Sequence, residues 1–303
     1  MRELVNAKNA KVMTMLAMTI FGTLGLCTRF IDLPASIIVV SRGFLGAMFL
    51  LLIVYLFGSR VSKDDIYSNM FTLVCSGTCL GLNWLCLFEA YKSIEISVAT
   101  VLNYMTPAIV ILISPIVFRT NLTTIKLVCA LLAMLGLIMV TGIFDGDSIE
   151  TNSYGLTCGV MAAVFYTGLV IFNKKLRSIS STDRTFTQLG IAGFVVLIYS
   201  LFTVDFGSLE FTLPTIGLLL ILGLIHTALA FLLYFSALSY LDASTSVIYT
   251  YIEPVLGVLL GVLILGEDLG IIGWCGAILI LGSTFMCEIL ENRRMRKEER
   301  SSS

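Results

Sequence analysis

The chain has 303 residues, 57% of them hydrophobic and 13% charged, with a formal net charge of −1. Soluble domains carry about 25% charge, so the composition excludes a soluble globular protein and points to a polytopic membrane protein. The near-neutral balance suggests no nucleic-acid partner. Eight cysteines spread through apolar stretches without a C-x-x-C pair, and a single histidine, His226, argue against a disulfide framework or a zinc site; no metal or cofactor is implied.

Ten apolar segments separate along the chain: 12–30, 34–57, 67–91, 95–118, 123–143, 154–173, 185–204, 213–236, 243–265 and 270–290. At 1.5 Å per residue such lengths suit a hydrocarbon core of ~30 Å. No small-residue cleavage site follows the first, so it reads as a spanning helix rather than a signal peptide. In the second segment Arg42 lies eight residues past Pro34, roughly 12 Å below the surface. It suits an anionic group such as a substrate carboxylate, or a pair with Glu253, Glu89 or a carbonyl. In the third, Asn83 and Trp84 offer a stacking wall for a solute or ordinary packing. Cys75, Cys79 and Cys86 share a helical face there, as small packing residues. Glu89, Lys92 and Glu95 mark a solvated hairpin rim.

In the fourth segment Asn103 and Tyr104 precede Pro107. Carbonyls freed by the proline need partners, and unwound backbone can line a cavity. Tyr166 and Tyr234 are further cavity aromatics; Asn173 and Gln188 are ambiguous. His226, mid-span in the eighth segment, reads as a packing residue or a proton relay. The most informative stretch is Ala243–Leu265, with Glu253 and Pro254 adjacent at its centre. Either is costly in hydrocarbon, so this depth is expected to face protein or water. Continuous helical spacing puts Tyr249, Ser246 and Gly257 on the Glu253 face. A site for a solute or a proton competes here with a structural kink.

Charge placement orients the chain. With both termini cytoplasmic, nearly every lysine and arginine falls on the inner side, including Arg60, Arg119, Lys174, Arg184 and the basic tail; only Arg29 and Lys92 fall outside, with Arg42 within a span. The connections expected outside, 144–153, 205–212 and 266–269, carry acids and no lysine or arginine.

The chain also repeats itself. Setting Pro107 on Pro254 brings Ala90 onto Ala237, Glu95 onto Asp242, Ser97 onto Ser244, Tyr104 onto Tyr251 and Leu112 onto Leu259. The expected organisation is a first five-helix repeat over 1–143, an acidic outer loop over 144–153, a second repeat over 154–290 and a basic cytoplasmic tail over 291–303. Five is odd, so the halves are inverted, and paired proline-broken helices point to a transporter's central site. Gly77-x3-Gly81, Gly155-x3-Gly159 and Gly257-x3-Gly261 allow close helix approach.

Several stretches carry a family resemblance. Leu238-Ser-Tyr-Leu-Asp-Ala-Ser, Ile252-Glu-Pro-Val, Leu265-Gly-Glu-Asp-Leu and Gly273-x-x-Gly resemble the second EamA repeat of the drug/metabolite transporter superfamily. Ser41-Arg42-Gly-Phe-Leu-Gly-Ala resembles the second helix of its first repeat, and Tyr154-Gly-Leu with Met161-Ala-Ala-Val-Phe-Tyr the opening of the second. One departure stands out: Arg119-Thr120 occupies the first-half position matching Gly266-Glu267. The resemblance implies an all-α, ten-helix inverted-repeat carrier of the plasma (inner) membrane that works by alternating access and is not an enzyme. Its substrate is expected to be a small metabolite such as an amino acid, moved outward, with protons as a possible coupling ion through Glu253 or His226. A multidrug exporter of lipophilic cations is the alternative, and a membrane enzyme or assembly protein a remote one. No ATP-binding motif is present.

Overall fold

A computed structural model of the chain describes residues 7–56, 61–118, 124–140, 152–238, 240–241 and 249–302; among them all regular structure is helical. Eight helical stretches are long and apolar enough to cross a membrane: Asn9–Arg29, Ala35–Leu56, Met70–Ser93, Ile96–Ile113, Ser153–Lys175, Ser181–Thr203, Leu213–Tyr234 and Gly270–Cys287. Leu127–Met139 and Ile252–Leu265 are shorter apolar helices.

In chain order, α1 (Ala7–Gly22) and α2 (Leu24–Arg29) make one span interrupted at Thr23, followed by α3 (Ala35–Leu56), the short α4 (Lys63–Ser68) and α5 (Met70–Ser93). Next come α6 (Ile96–Asn103), α7 (Thr106–Phe118), α8 (Thr124–Val140), α9 (Ser153–Lys175) and α10 (Ser181–Thr203). A 3₁₀ turn (Phe206–Ser208) leads to α11 (Leu213–Gly223), which a π-helical turn (Leu224–Leu229) joins to α12 (Ala230–Leu238). The chain closes with α13 (Ile252–Leu265) and α14 (Gly270–Ser302), the latter carrying the backbone through the basic tail. Ser246, Arg60, Arg119, Thr120, Asp242, Ser244 and residues 141–151 lie outside the described residues, as do most side chains of the tail.

Glycines set the closest helix contacts, as expected where lipid supplies no hydrophobic drive between helices. A Cβ on Gly77 would stand 2.7 Å from Ile191, and one on Gly81 2.9 Å from the Ala192 carbonyl, so α5 meets α10 there. Gly43 sits against Gly193 while Gly46 sits near Leu189, so α3 and α10 run antiparallel. Gly159 meets Leu102 on α6, and Gly257 meets Thr100, placing α9 and α13 on either side of α6. At one end of the bundle Asn69 and Arg177 bond reciprocally, Nδ2 to the Arg177 carbonyl at 2.8 Å and the Arg177 N–H to Oδ1 at 3.0 Å. This is the Arg184 end; the opposite one is the Arg29 end.

Two segments expected as continuous helices are interrupted. The 95–118 segment breaks at Tyr104–Met105, so Pro107 lies in the first turn of α7, where its missing N–H costs nothing. The carbonyl it would have served, that of Asn103, instead accepts from the Thr106 hydroxyl at 2.8 Å. The 243–265 segment breaks at Tyr251, putting Glu253 and Pro254 in the first turn of α13. Tyr104 and Tyr251, matched in the sequence repeat, both sit at these breaks.

Candidate functional site

The breaks border a cavity of about 620 Å³. Arg42, Asn83, Trp84, Asn103, Tyr104, Pro107 and Glu253 all line it. Arg42 is only 2% exposed. Its guanidinium lies over the Trp84 ring at 3.9 Å, with Phe88 at 5.8 Å. Beneath, Nε donates to the Thr227 hydroxyl at 2.9 Å, and Nη2 reaches the His226 carbonyl at 3.5 Å. Thr227 passes its own proton five residues back to the Leu222 carbonyl at 2.8 Å, a spacing the π-helical turn supplies. The remaining nitrogen, Nη1, is buried with no hydrogen-bond partner.

Asn83 spends both amide protons structurally, on Asn103 Oδ1 at 3.0 Å and on the Ala162 carbonyl at 2.9 Å, which binds α5 to the break before Pro107 and to α9. Tyr104 faces Glu253 as its hydrogen-bond partner, and Arg42 lies close enough to Glu253 to act on it electrostatically. Phe21, Tyr166, Phe231 and Tyr234 add aromatic wall.

Two candidate site residues, Tyr249 and His226, fall elsewhere, while Pro254 stands just past the break it was expected to mark. Tyr249 does not line the cavity, and Thr250 and Tyr251 do. The continuous spacing that put Tyr249 on the Glu253 face is wrong because the break at Tyr251 resets the helical register. Pro254 is buried beside the lining rather than in it. His226 is buried off the cavity: Nε2 meets the Thr23 hydroxyl at 2.9 Å and Nδ1 the Ile221 carbonyl at 3.4 Å. The lining also takes in Asn173, Arg184 and Gln188, which sequence reasoning did not assign to it. Gln188 Nε2 donates to Asn173 Oδ1 at 2.6 Å and to Ser76 at 2.7 Å. Asn173 and Gln188 shared one signal, polarity within an apolar segment, while Arg184 lay just before the 185–204 segment and read as a connection charge.

The EamA-like transporter family model matches the chain twice, over residues 9–142 and 153–288. The chain belongs to the EamA-like transporter family. It is a membrane transporter with multiple apolar spans. Among its relatives, an uncharacterized transporter YxxF of Bacillus subtilis is 26% identical over 263 residues, 85% of this chain and 82% of that protein. An uncharacterized inner membrane transporter YicL of Salmonella typhimurium is 22% identical over 302 residues, covering 93% of this chain and 96% of its own. A solved crystal structure superposes with a TM-score of 0.65 at 15% identity, over 93% of this chain and 98% of that one, a likeness of fold. This EamA-like chain thus shares its architecture with proteins far from it in sequence.

Proposed function

We propose that this EamA-like protein is a secondary carrier that exports a small amino-acid-like solute across the plasma (inner) membrane by alternating access. Its ten apolar segments form a 5+5 inverted repeat, over 1–143 and 154–290, with both termini cytoplasmic, the Arg184 end inside and the Arg29 end outside. The paired breaks at Tyr104 and Tyr251 support that symmetry.

The observation that carries the substrate reading is Arg42 Nη1, a buried guanidinium donor without a partner on a cavity wall. Leaving such a donor unpaired costs about 1–3 kcal/mol, which favours a small shift of the guanidinium that brings Nη1 onto an oxygen of the solute. A carboxylate on Arg42, with its ammonium toward Glu253 and its side chain among the aromatic walls, satisfies the site. Glu253 then carries the coupling proton, exchanging it as the ammonium group leaves.

Proteoliposome counterflow with labelled amino acids tests this. Wild-type protein exchanges an amino acid, and Arg42→Gln loses at least about tenfold of that activity, ~1.4 kcal/mol. Glu253→Gln keeps counterflow and loses stimulation by a proton gradient; undiminished stimulation removes its coupling role. Transport of cationic dyes that survives Arg42→Gln, without amino-acid counterflow, replaces the proposal with the multidrug reading.

A further inference from the structure

The two ends of the bundle are closed differently. Toward the Arg184 end the cavity extends between α9 and α10 as far as Asn173 and Arg184. Toward the Arg29 end it stops at Leu24 and Leu87. Beyond them Gly25 packs on Ile96, where a Cβ would stand 2.6 Å from the isoleucine.

Side chains reaching main-chain atoms tie this end together. Arg29 donates to the Tyr91 carbonyl, and Lys92 to the carbonyls of Ile31 and Leu33. The third tie crosses from the α13–α14 corner to the start of α6. α13 stops at Gly266 with φ of 69°, a left-handed turn that glycine adopts freely. Glu267 follows, and its Oε1 accepts from the Ile96 N–H at 2.7 Å. Oε2 accepts from the Ser97 N–H at 2.9 Å and from the Ser97 hydroxyl. A carboxylate holding three donors at a helix's first turn is a strong charge-assisted cap. It is also the cap α6 lacks locally, because Glu95 supplies no side-chain bond there. The fit is tight, since a Cβ on Gly261 would overlap both Glu267 Oε2 and Ser97 Oγ.

The two elements joined are the ones that carry the site. α6 leads from Ile96 down to Asn103 and the Tyr104 break, and α13 leads from Glu253 up to Gly266. Glu267 therefore pins both half-helices at the ends away from the cavity. In the first half, the matching position carries Arg119-Thr120, so the opposite end cannot close by the same carboxylate.

We infer that Glu267 is the gating residue of the Arg29 end: its bonds to Ile96 and Ser97 hold that end shut, and their rupture opens the cavity there. The inference rests on the alternating-access reading, yet its test needs no substrate. Leu87→Cys is introduced in full-length protein whose native cysteines are serine, in sealed vesicles. A membrane-impermeant maleimide is applied from the face that labels Ser208→Cys, an exposed position in the 3₁₀ turn at the Arg29 end. Leu87→Cys labels slowly while Glu267 is intact. Glu267→Gln weakens the cap, and Gly261→Ala denies the unaltered carboxylate its seat; each raises the labelling rate about tenfold, ~1.4 kcal/mol, without changing Ser208→Cys. Ser97→Ala, which removes one donor of three, gives a smaller rise and serves where the stronger variants fail to fold. A merely structural cap lowers the melting temperature of the variants and leaves the Leu87→Cys rate at its parental value. That result overturns the inference, whether or not amino-acid counterflow has been found.

Discussion

Thr227→Val separates packing from polarity at the Arg42 site. Thr227 is fully buried, and valine keeps its volume, so no void opens. What is lost is the hydroxyl, which accepts from Arg42 Nε and donates to the Leu222 carbonyl. A hydrogen bond to a charged group contributes about 1.5–3 kcal/mol, and a neutral one to a carbonyl about 0.5–1.5 more. Partial relaxation of the π-helical turn brings the expected loss to about 2–4 kcal/mol. Thr227→Ser keeps both bonds and removes one methyl, which packs against Gly46, at about 1 kcal/mol. Hydrophobicity alone predicts the reverse order in a membrane protein. The assay is thermal unfolding of purified protein in one detergent, followed by tryptophan fluorescence, because Trp84 reports on the guanidinium stacked over it. The serine variant should melt between wild type and valine. A valine variant as stable as wild type would refute the claim that Thr227 holds Arg42 in place.

Three further outcomes follow from the packing and the charges. Gly223→Ala drives a Cβ into Leu45, whereas Gly217→Ala in the same helix meets nothing within 4 Å. The first should lose about 1–3 kcal/mol and the second gain up to ~1 kcal/mol in helix propensity; equal melting temperatures would contradict the α3–α11 contact. Asn83→Ala removes both amide bonds to the Pro107 break and to α9, at about 2–3 kcal/mol, and should raise amide exchange around residues 103–106. Glu95, outside the spans, is held above the ordinary carboxylate range, first by burial and then by Glu267, with Asp268 adding its charge and Arg29 and the Asp268 N–H opposing. The closed end therefore binds this proton more tightly than an open, hydrated one. Closure is favoured as pH falls and weakened as pH rises through the raised value. The labelling rate of Leu87→Cys, taken relative to that of the exposed Ser208→Cys at the same pH so that thiolate formation cancels, should rise as pH climbs above the ordinary carboxylate range, and Glu95→Gln should flatten that ratio; a ratio that falls with rising pH would refute this.

Much of the architecture was legible in the sequence because bilayer thickness fixes the length of an apolar run. Eight of the ten segments correspond to helical stretches long enough to cross, and the short α4 falls between the second and third segments. Arg42, Asn83, Trp84, Asn103, Tyr104 and Glu253 could be singled out because polar groups are rare at such depth. What periodicity could not supply was facing. When lipid and protein interior are equally apolar, a helix such as α10 shows little amphipathic pattern, so Gln188 and Arg184 gave no sign of which way they pointed. Register failed at the irregular points. The break at Tyr251 exchanged Tyr249 for Thr250 and Tyr251 on the cavity wall, and the π-helical turn put His226 against Thr23. The partner of Glu267 was invisible for a different reason: its donors are mostly amides, which every residue but proline possesses.

That last property bears on how this corner of the protein tolerates change. Arg29, Lys92 and Glu267 reach peptide groups of Tyr91, Ile31, Leu33, Ile96 and Ser97, so most of their counterparts are indifferent to side-chain identity. Drift at Tyr91, Ile31, Leu33 and Ile96 leaves these main-chain bonds intact so long as backbone geometry survives and no proline arrives at 96, whereas position 97 must also keep a hydroxyl to supply all three donors. A lineage can thus remodel much of this mouth while guarding three ionic side chains, the Ser97 hydroxyl and the bare Gly261 beside it.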